Sequence, residues 1–204
     1  MRPAALHKLP VQGHAGRLEA LYAEPEGDAA GIAVVAHPHP LFGGTMDNKV
    51  VQTLARTFCE REQVAVRFNF RGVGASAGTW DEGRGETEDL LSVAHAAREK
   101  FGHLPLTLAG FSFGGFVAAR AARRLHPRRL ILVAPAVSRF ETPEVPAGTL
   151  VVHGEMDDVV PLKDVLDWAR PQDLPLVVVP GVEHFFHGRL HLLKQIVLDA
   201  WRTS

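Results

Sequence analysis

The chain has 204 residues, 46% of them hydrophobic and 22% charged, with a formal net charge of −1 when histidines are neutral. That length suits one domain over residues 1–204, able to bury roughly 70% of the surface its unfolded form exposes without disulfide or metal staples. The near-neutral balance argues against nucleic acid as a partner, so the run Arg120, Arg123, Arg124, Arg128 and Arg129 reads as a solvated face on and after one helix.

Residues 4–9 and 17–23 are expected to pair as antiparallel strands across Gly13-His14-Ala15-Gly16. Gly31 to Ala36 is apolar without alternation, the mark of a strand buried on both faces. Val50, Val51, Leu54, Ala55, Phe58 and Cys59 recur at three- and four-residue spacing, which predicts a helix over 47–62 with Asp47 at its start as cap. The pattern continues with strand 63–69, helix 86–100, strand 105–110, helix 114–125, strands 129–134 and 149–153, helix 162–169, strand 175–180 and helix 187–201. Such alternation predicts an α/β fold: a mainly parallel, twisted sheet of about eight strands, antiparallel at its N-terminal pair, with helices on both faces. Chemistry is then expected in the loops that follow the strands.

The single Cys59 cannot form an internal disulfide, which fits a reducing compartment. The first seven residues lack the apolar run of a signal peptide, and no stretch approaches the roughly 18 apolar residues of a membrane span. A cytoplasmic protein with no membrane partner is expected; nothing in the sequence sets an oligomeric state.

After strand 105–110 the chain reads Gly110-Phe111-Ser112-Phe113-Gly114-Gly115 and enters an Ala-rich helix. A bare G-x-S-x-G also fits an ordinary helix-capping serine. Between a strand and a helix, however, it resembles the nucleophile elbow of the α/β-hydrolases, where flanking glycines let strand and helix approach and a sharp turn exposes the serine oxygen. In that family the acid and then the histidine follow the serine along the chain. The last strand ends at Pro180 and is followed by Gly181-Val182-Glu183-His184, so His184 is the expected base among 11 histidines; His187 and His191 are assigned to the next helix as partly exposed packing residues. The acid should follow strand 149–153, where Glu155, Asp157 and Asp158 compete. Resemblance of His153 to Pro161 to the H-G-x-x-D-x-x-V-P stretch of the family favours Asp157.

One oxyanion donor implied by the resemblance is the backbone amide of Phe113, and the other belongs to the loop His37-Pro38-His39-Pro40-Leu41-Phe42-Gly43-Gly44. Prolines have no N–H, which leaves His39 and Leu41; alignment with H-G-x-P loops favours His39. His37 and His39 could also suggest metal binding, but packing and loop rigidity are the preferred reading, and no metal or cofactor is expected. Asn69-Phe70-Arg71-Gly72-Val73-Gly74-Ala75-Ser76 is similar to the family's D-x-R-G-x-G-x-S turn, with Asn69 in place of Asp, a change expected to matter little.

These motifs fall in family order from residue 32 to residue 187. Small size and the HPHPLFGGTMDNKVV stretch resemble the bacterial single-domain hydrolases grouped near dienelactone hydrolase. That enzyme uses Cys where this chain has Ser112, so its own substrate is not implied. The resemblance implies a small-molecule ester or thioester as substrate; a catalytically silent binding protein and a small peptidase are the alternatives. Only Val137 to Gly148 separates strand 129–134 from the next, too little for a helical cap. The walls of the site are then expected from Leu41, Phe42, Trp80, Phe113, Phe140 and Phe185, a shallow apolar cleft for short to medium acyl groups.

Overall fold

The computed structural model describes residues 5–201. Among them the strands are β1 (His7–Lys8), β2 (Val11–Gly13), β3 (Gly16–Leu18), β4 (Ala20–Ala23), β5 (Gly31–Ala36), β6 (Gln63–Phe68), β7 (Leu106–Phe111), β8 (Arg129–Val133), β9 (Leu150–Gly154) and β10 (Leu176–Val179). The α-helices are α1 (Lys49–Cys59), α2 (Arg84–Phe101), α3 (Phe113–Leu125), α4 (Leu162–Ala169) and α5 (Leu190–Ala200). Eight strands form one sheet in the order β1-β4-β6-β5-β7-β8-β9-β10. β4 runs antiparallel to both β1 and β6, and every pairing from β6 to β10 is parallel.

Strand periodicity explains why both faces need helices. Ile32, Val34 and Ala36 of β5 enter the core shared with α2, α3 and α4, whereas Ala33 and Val35 enter the core shared with α1 and α5. All six β5 residues are buried, as the unbroken apolar run requires. β7 is equally enclosed and carries Ser112 at its carboxyl end.

Three local expectations are corrected. The stretch 17–23 is two strands: β3 closes a tight hairpin with β2, while β4 leaves it to pair with β1 and β6 in the main sheet. Residue 4 of the expected first strand lies outside the described residues. Helix α1 starts after Asn48, whose Oδ1 accepts the Val50 N–H at 2.8 Å; Asp47 instead pairs with buried Arg67 at 3.0 Å. Two adjacent capping residues cannot be ranked from pattern alone, and the tertiary demand of Arg67 takes the aspartate. Helix α5 begins at Leu190, so His187 stands in the preceding turn, exposed and 3.2 Å from Glu183.

Between β8 and β9 the described chain forms no helix or strand, so no cap covers the sheet's carboxyl end. That loop is nonetheless pinned, with Trp168 Nε1 donating to Thr142 O at 3.2 Å and Gln172 accepting the Val145 N–H. Among the described residues no helix is long and apolar enough to cross a membrane.

Candidate active site

Ser112 sits between β7 and α3 at φ 55°, ψ −117°, a conformation that side chains disfavour and that the surroundings must impose. Its N–H is taken by Val133 O at 2.9 Å, and its carbonyl receives the amides of Gly115 and Ala136. The turn is possible only because two neighbours lack a Cβ. One at Gly110 would overlap the Gly114 carbonyl, and one at Gly114 would overlap the carbonyls of Ala36 and His37. The serine hydroxyl is thereby held at the head of α3, beside the Phe113 amide.

His184 follows β10 and is nearly wholly buried. Its Nε2 lies 3.1 Å from Ser112 Oγ and its Nδ1 lies 2.7 Å from Asp157 Oδ2. An ionised carboxylate only accepts, so Nδ1 carries the proton and donates to Asp157, leaving Nε2 to accept from the serine hydroxyl. Asp157 is immobilised in turn, because its Oδ1 accepts the N–H groups of Val159 at 3.0 Å and Val160 at 2.7 Å. The competing acids are elsewhere: Asp158 is exposed, and exposed Glu155 accepts the Gly181 N–H. Phe111 and Phe185 flank the His184 ring, with centroids 4.9 and 5.0 Å away.

His153, the first residue of the H-G-x-x-D-x-x-V-P stretch, also shares this site. Wholly buried, it donates from Nε2 to Val160 O at 2.9 Å and lies 3.6 Å from Asp157 Oδ2. Burial lowers its pKa, partly opposed by the Asp157 charge and the Val160 hydrogen bond. Its Nδ1 is buried without a hydrogen-bond partner among the described residues, as expected of a neutral ring protonated on Nε2. A buried histidine ending a strand just before Gly154 was the available signal.

The loop after β5 is held by its own histidines. His37, wholly buried, donates from Nδ1 to Pro38 O at 2.7 Å and accepts the Phe70 N–H on Nε2 at 3.1 Å. Burial pushes its pKa down to about 4, so the ring is neutral. His39 Nδ1 accepts the Leu41 N–H at 3.2 Å, and burial together with the Arg139 charge lowers its pKa. The His39 ring packs among Trp80, Phe42, Phe113 and Phe140, with centroids 4.5, 4.7, 5.1 and 5.9 Å away.

The expected walls divide. Leu41 and Phe42 stand exposed on a 3₁₀ turn, 65% and 75% accessible, and Phe185 is 40% accessible against His184. Trp80 and Phe140 are half-buried around His39. The Phe113 side chain is wholly buried and cannot line a cleft, a correction that follows from its place at the start of α3, where the backbone faces the site and the ring faces the core. Exposed Met156, beside Asp157 in the chain, was not foreseen. Asn69 also matters more than expected. It accepts the Met46 N–H and donates to Glu19 Oε2, both at 2.8 Å, whereas an aspartate would set a second carboxylate against Glu19.

Comparison with known proteins agrees with this fold. The family model described as serine aminopeptidase, S33, matches residues 33–144. The chain belongs to the S33 family of α/β serine hydrolases. The hydrolase superposes on XC6422 of Xanthomonas campestris, an α/β serine hydrolase without a lid, with TM-score 0.93 and 38% identity, covering 100% of this chain and 96% of that one. An α/β serine hydrolase homologue from Coxiella burnetii gives TM-score 0.89 at 39% identity, over 95% and 96% of the two chains. RP471, an uncharacterised protein of Rickettsia prowazekii, is 29% identical over 202 residues, covering 92% of the hydrolase and 85% of RP471.

Proposed function

We propose that the protein hydrolyses carboxylic esters or thioesters of short to medium acyl chain through an acyl-enzyme. The observation that carries this reading is the unbroken line of hydrogen bonds from Asp157 through His184 to Ser112. Ser112 Oγ attacks the carbonyl carbon while its proton passes to His184 Nε2, and Asp157 stabilises the imidazolium so formed. His184 then gives that proton to the leaving alcohol or thiol. Water, deprotonated by the same ring, attacks the acyl-enzyme and releases the acid.

The amides of Phe113 and His39 serve the oxyanion. Among the described residues neither donates a hydrogen bond, whereas the Leu41 amide is occupied by the His39 ring. That favours His39 over Leu41. The peptidase alternative needs a recess that recognises a free N-terminus.

An active-site-directed fluorophosphonate is expected to label the wild type and not Ser112→Ala, with ester turnover lost in both Ser112→Ala and His184→Ala. An unlabelled wild type would instead support a silent binding protein. Among p-nitrophenyl esters, efficiency should peak between acetate and hexanoate, because each further methylene adds its ~0.8 kcal/mol only where it is buried. An optimum at dodecanoate would overturn the shallow-cleft reading.

A further inference from the structure

Glu183, immediately before the base in the chain, takes the three amides that follow His184. Its Oε2 accepts the Phe185 N–H at 2.8 Å, its backbone carbonyl accepts the Phe186 N–H at 3.2 Å, and its Oε1 accepts the His187 N–H at 2.6 Å. The His187 ring adds a contact, its Nδ1 standing 3.2 Å from the same Oε1. A carboxylate has two acceptor oxygens and no proton of its own, so a single side chain can hold two N–H groups at once. Such charge-assisted bonds are stronger than those between neutral groups.

The turn needs such a hold. Between β10 and α5 the chain forms no helix or strand, and within it Phe186 stands at φ 56°, left-handed and unfavourable for an aromatic residue. Before His184 the chain is anchored to the acid loop: Val182 O accepts the Met156 N–H and Glu155 Oε2 accepts the Gly181 N–H, both at 2.9 Å. After His184, Glu183 supplies the only side-chain acceptor for the turn's amides among the described residues. Holding the Phe185 amide also sets the backbone from which the Phe185 ring meets the imidazole edge-on, at 88° and 5.0 Å between centroids. The imidazole in turn must keep Nδ1 on Asp157 at 2.7 Å while Nε2 stays within 3.1 Å of Ser112 Oγ. A displacement of about 1 Å in such a group can cost about 10²-fold in rate.

We propose that Glu183 is a positioning residue of the triad: by holding the Phe185 and His187 amides, its carboxylate fixes the turn that aims His184 at Ser112 and Asp157. The inference rests on the hydrolase reading above. It adds to that reading a residue that acts through the base and touches neither substrate nor reacting atoms.

With 4-nitrophenyl butyrate, Glu183→Ala should lower kcat about tenfold or more and change KM less than about threefold. Glu183→Gln keeps one acceptor oxygen and should fall between Glu183→Ala and the wild type. The loss must run through the base. On a His184→Ala background, adding Glu183→Ala should lower the residual turnover by less than about twofold. Proton NMR reads the hold without turnover: the His184 Nδ1 proton, bonded to Asp157, should exchange with water about tenfold or more faster in folded Glu183→Ala protein than in the wild type. Unchanged kcat, an equal loss on both backgrounds, a glutamine variant no faster than the alanine one, or equal exchange rates would overturn the proposal. The two readings fail separately. Faster exchange in the variant, with no ester turnover in the wild type, refutes the hydrolase reading alone. Ester turnover by the wild type, with kcat and exchange unchanged in the variant, refutes the positioning role alone.

Discussion

Replacing His37 with glutamine should flatten the acid limb of the stability curve. The imidazole is buried and neutral, held between Pro38 O and the Phe70 N–H, and its pKa is pushed down to about 4 by desolvation, partly offset by the Pro38 bond. In the unfolded chain the same ring titrates near 6.5. Above the unfolded value neither state binds the proton, and stability is unaffected. As pH falls from about 6.5 to about 4 the unfolded chain takes up a proton that the folded state refuses, so stability falls by about 1.4 kcal/mol per pH unit, about 3 kcal/mol in all. Glutamine can offer one donor and one acceptor in the same place but does not titrate.

Urea unfolding followed by circular dichroism measures the effect. Near pH 7 the variant should be the less stable protein, because the new side chain packs imperfectly against Phe70, whose ring lies 4.6 Å from His37. Towards about pH 4.5 the gap should narrow by about 2 kcal/mol, since only the wild type loses the His37 contribution. Other groups, including His39 and His153, titrate in both proteins and cancel in the difference. Parallel stability curves would refute the argument, showing that His37 is protonated in the fold or is hydrated there.

Asp157→Asn should lower ester turnover by roughly 10⁴-fold through the wrong imidazole tautomer, and Asp158→Asn by less than about tenfold; steady-state kinetics with the reverse ranking would exchange their roles. Gly114→Ala should cost at least about 3 kcal/mol, because its Cβ would overlap backbone carbonyls that cannot rotate away, while Gly148→Ala, with open space around it, should leave the melting temperature within a few degrees of wild type. Equal melting temperatures for the two would show that β7 and α3 are less closely apposed than described. His153→Phe should destabilise by about 1–3 kcal/mol and reduce turnover further than stability alone explains, since it strips the Val160 carbonyl of its donor and loosens the Asp157 loop; His153→Gln should recover part of both. Full activity in a folded His153→Phe protein would assign the ring to packing only.

The architecture was legible because its central strands are all-or-nothing signals. β5 and β7 are apolar at nearly every position, and only a sheet covered on both faces accounts for them. The edges were less legible. β1 is exposed at both of its residues and so carries no burial pattern, and the stretch that becomes β3 and β4 satisfies either of two pairings, so register there is decided by contact of β4 with β6. Ser112 and His184 were readable because each sits in a local motif at a strand end. The rigidity role of His37 was expected, but its partner was not, and His153 was not readable as a support at all, because these partners become neighbours only in the fold. Phe70 lies 33 positions from His37, and the His153 ring reaches Val160 across a loop.

The choice between Asp157 and Asp158 shows where family resemblance ends and physics takes over. Both residues have the same charge and chemistry, and chain position alone leaves them equivalent. In the fold the loop after β9 turns its Val159 and Val160 amides onto one carboxylate oxygen of Asp157, leaving the other directed at His184 Nδ1. A carboxylate bound at both ends is stable without water and cannot rotate off the imidazole. Asp158, one residue along, faces solvent with no such amides. The stretch Met156-Asp157-Asp158-Val159-Val160 therefore gives two identical residues different surroundings through the direction of its backbone N–H groups. A substitution that redirects those amides, such as Val160→Pro, which deletes one donor, should weaken the hold on Asp157 while leaving all three triad side chains in place. The expected result is a fall in kcat with little change in KM, and unchanged kcat in the folded variant would show that the Val159 amide alone suffices.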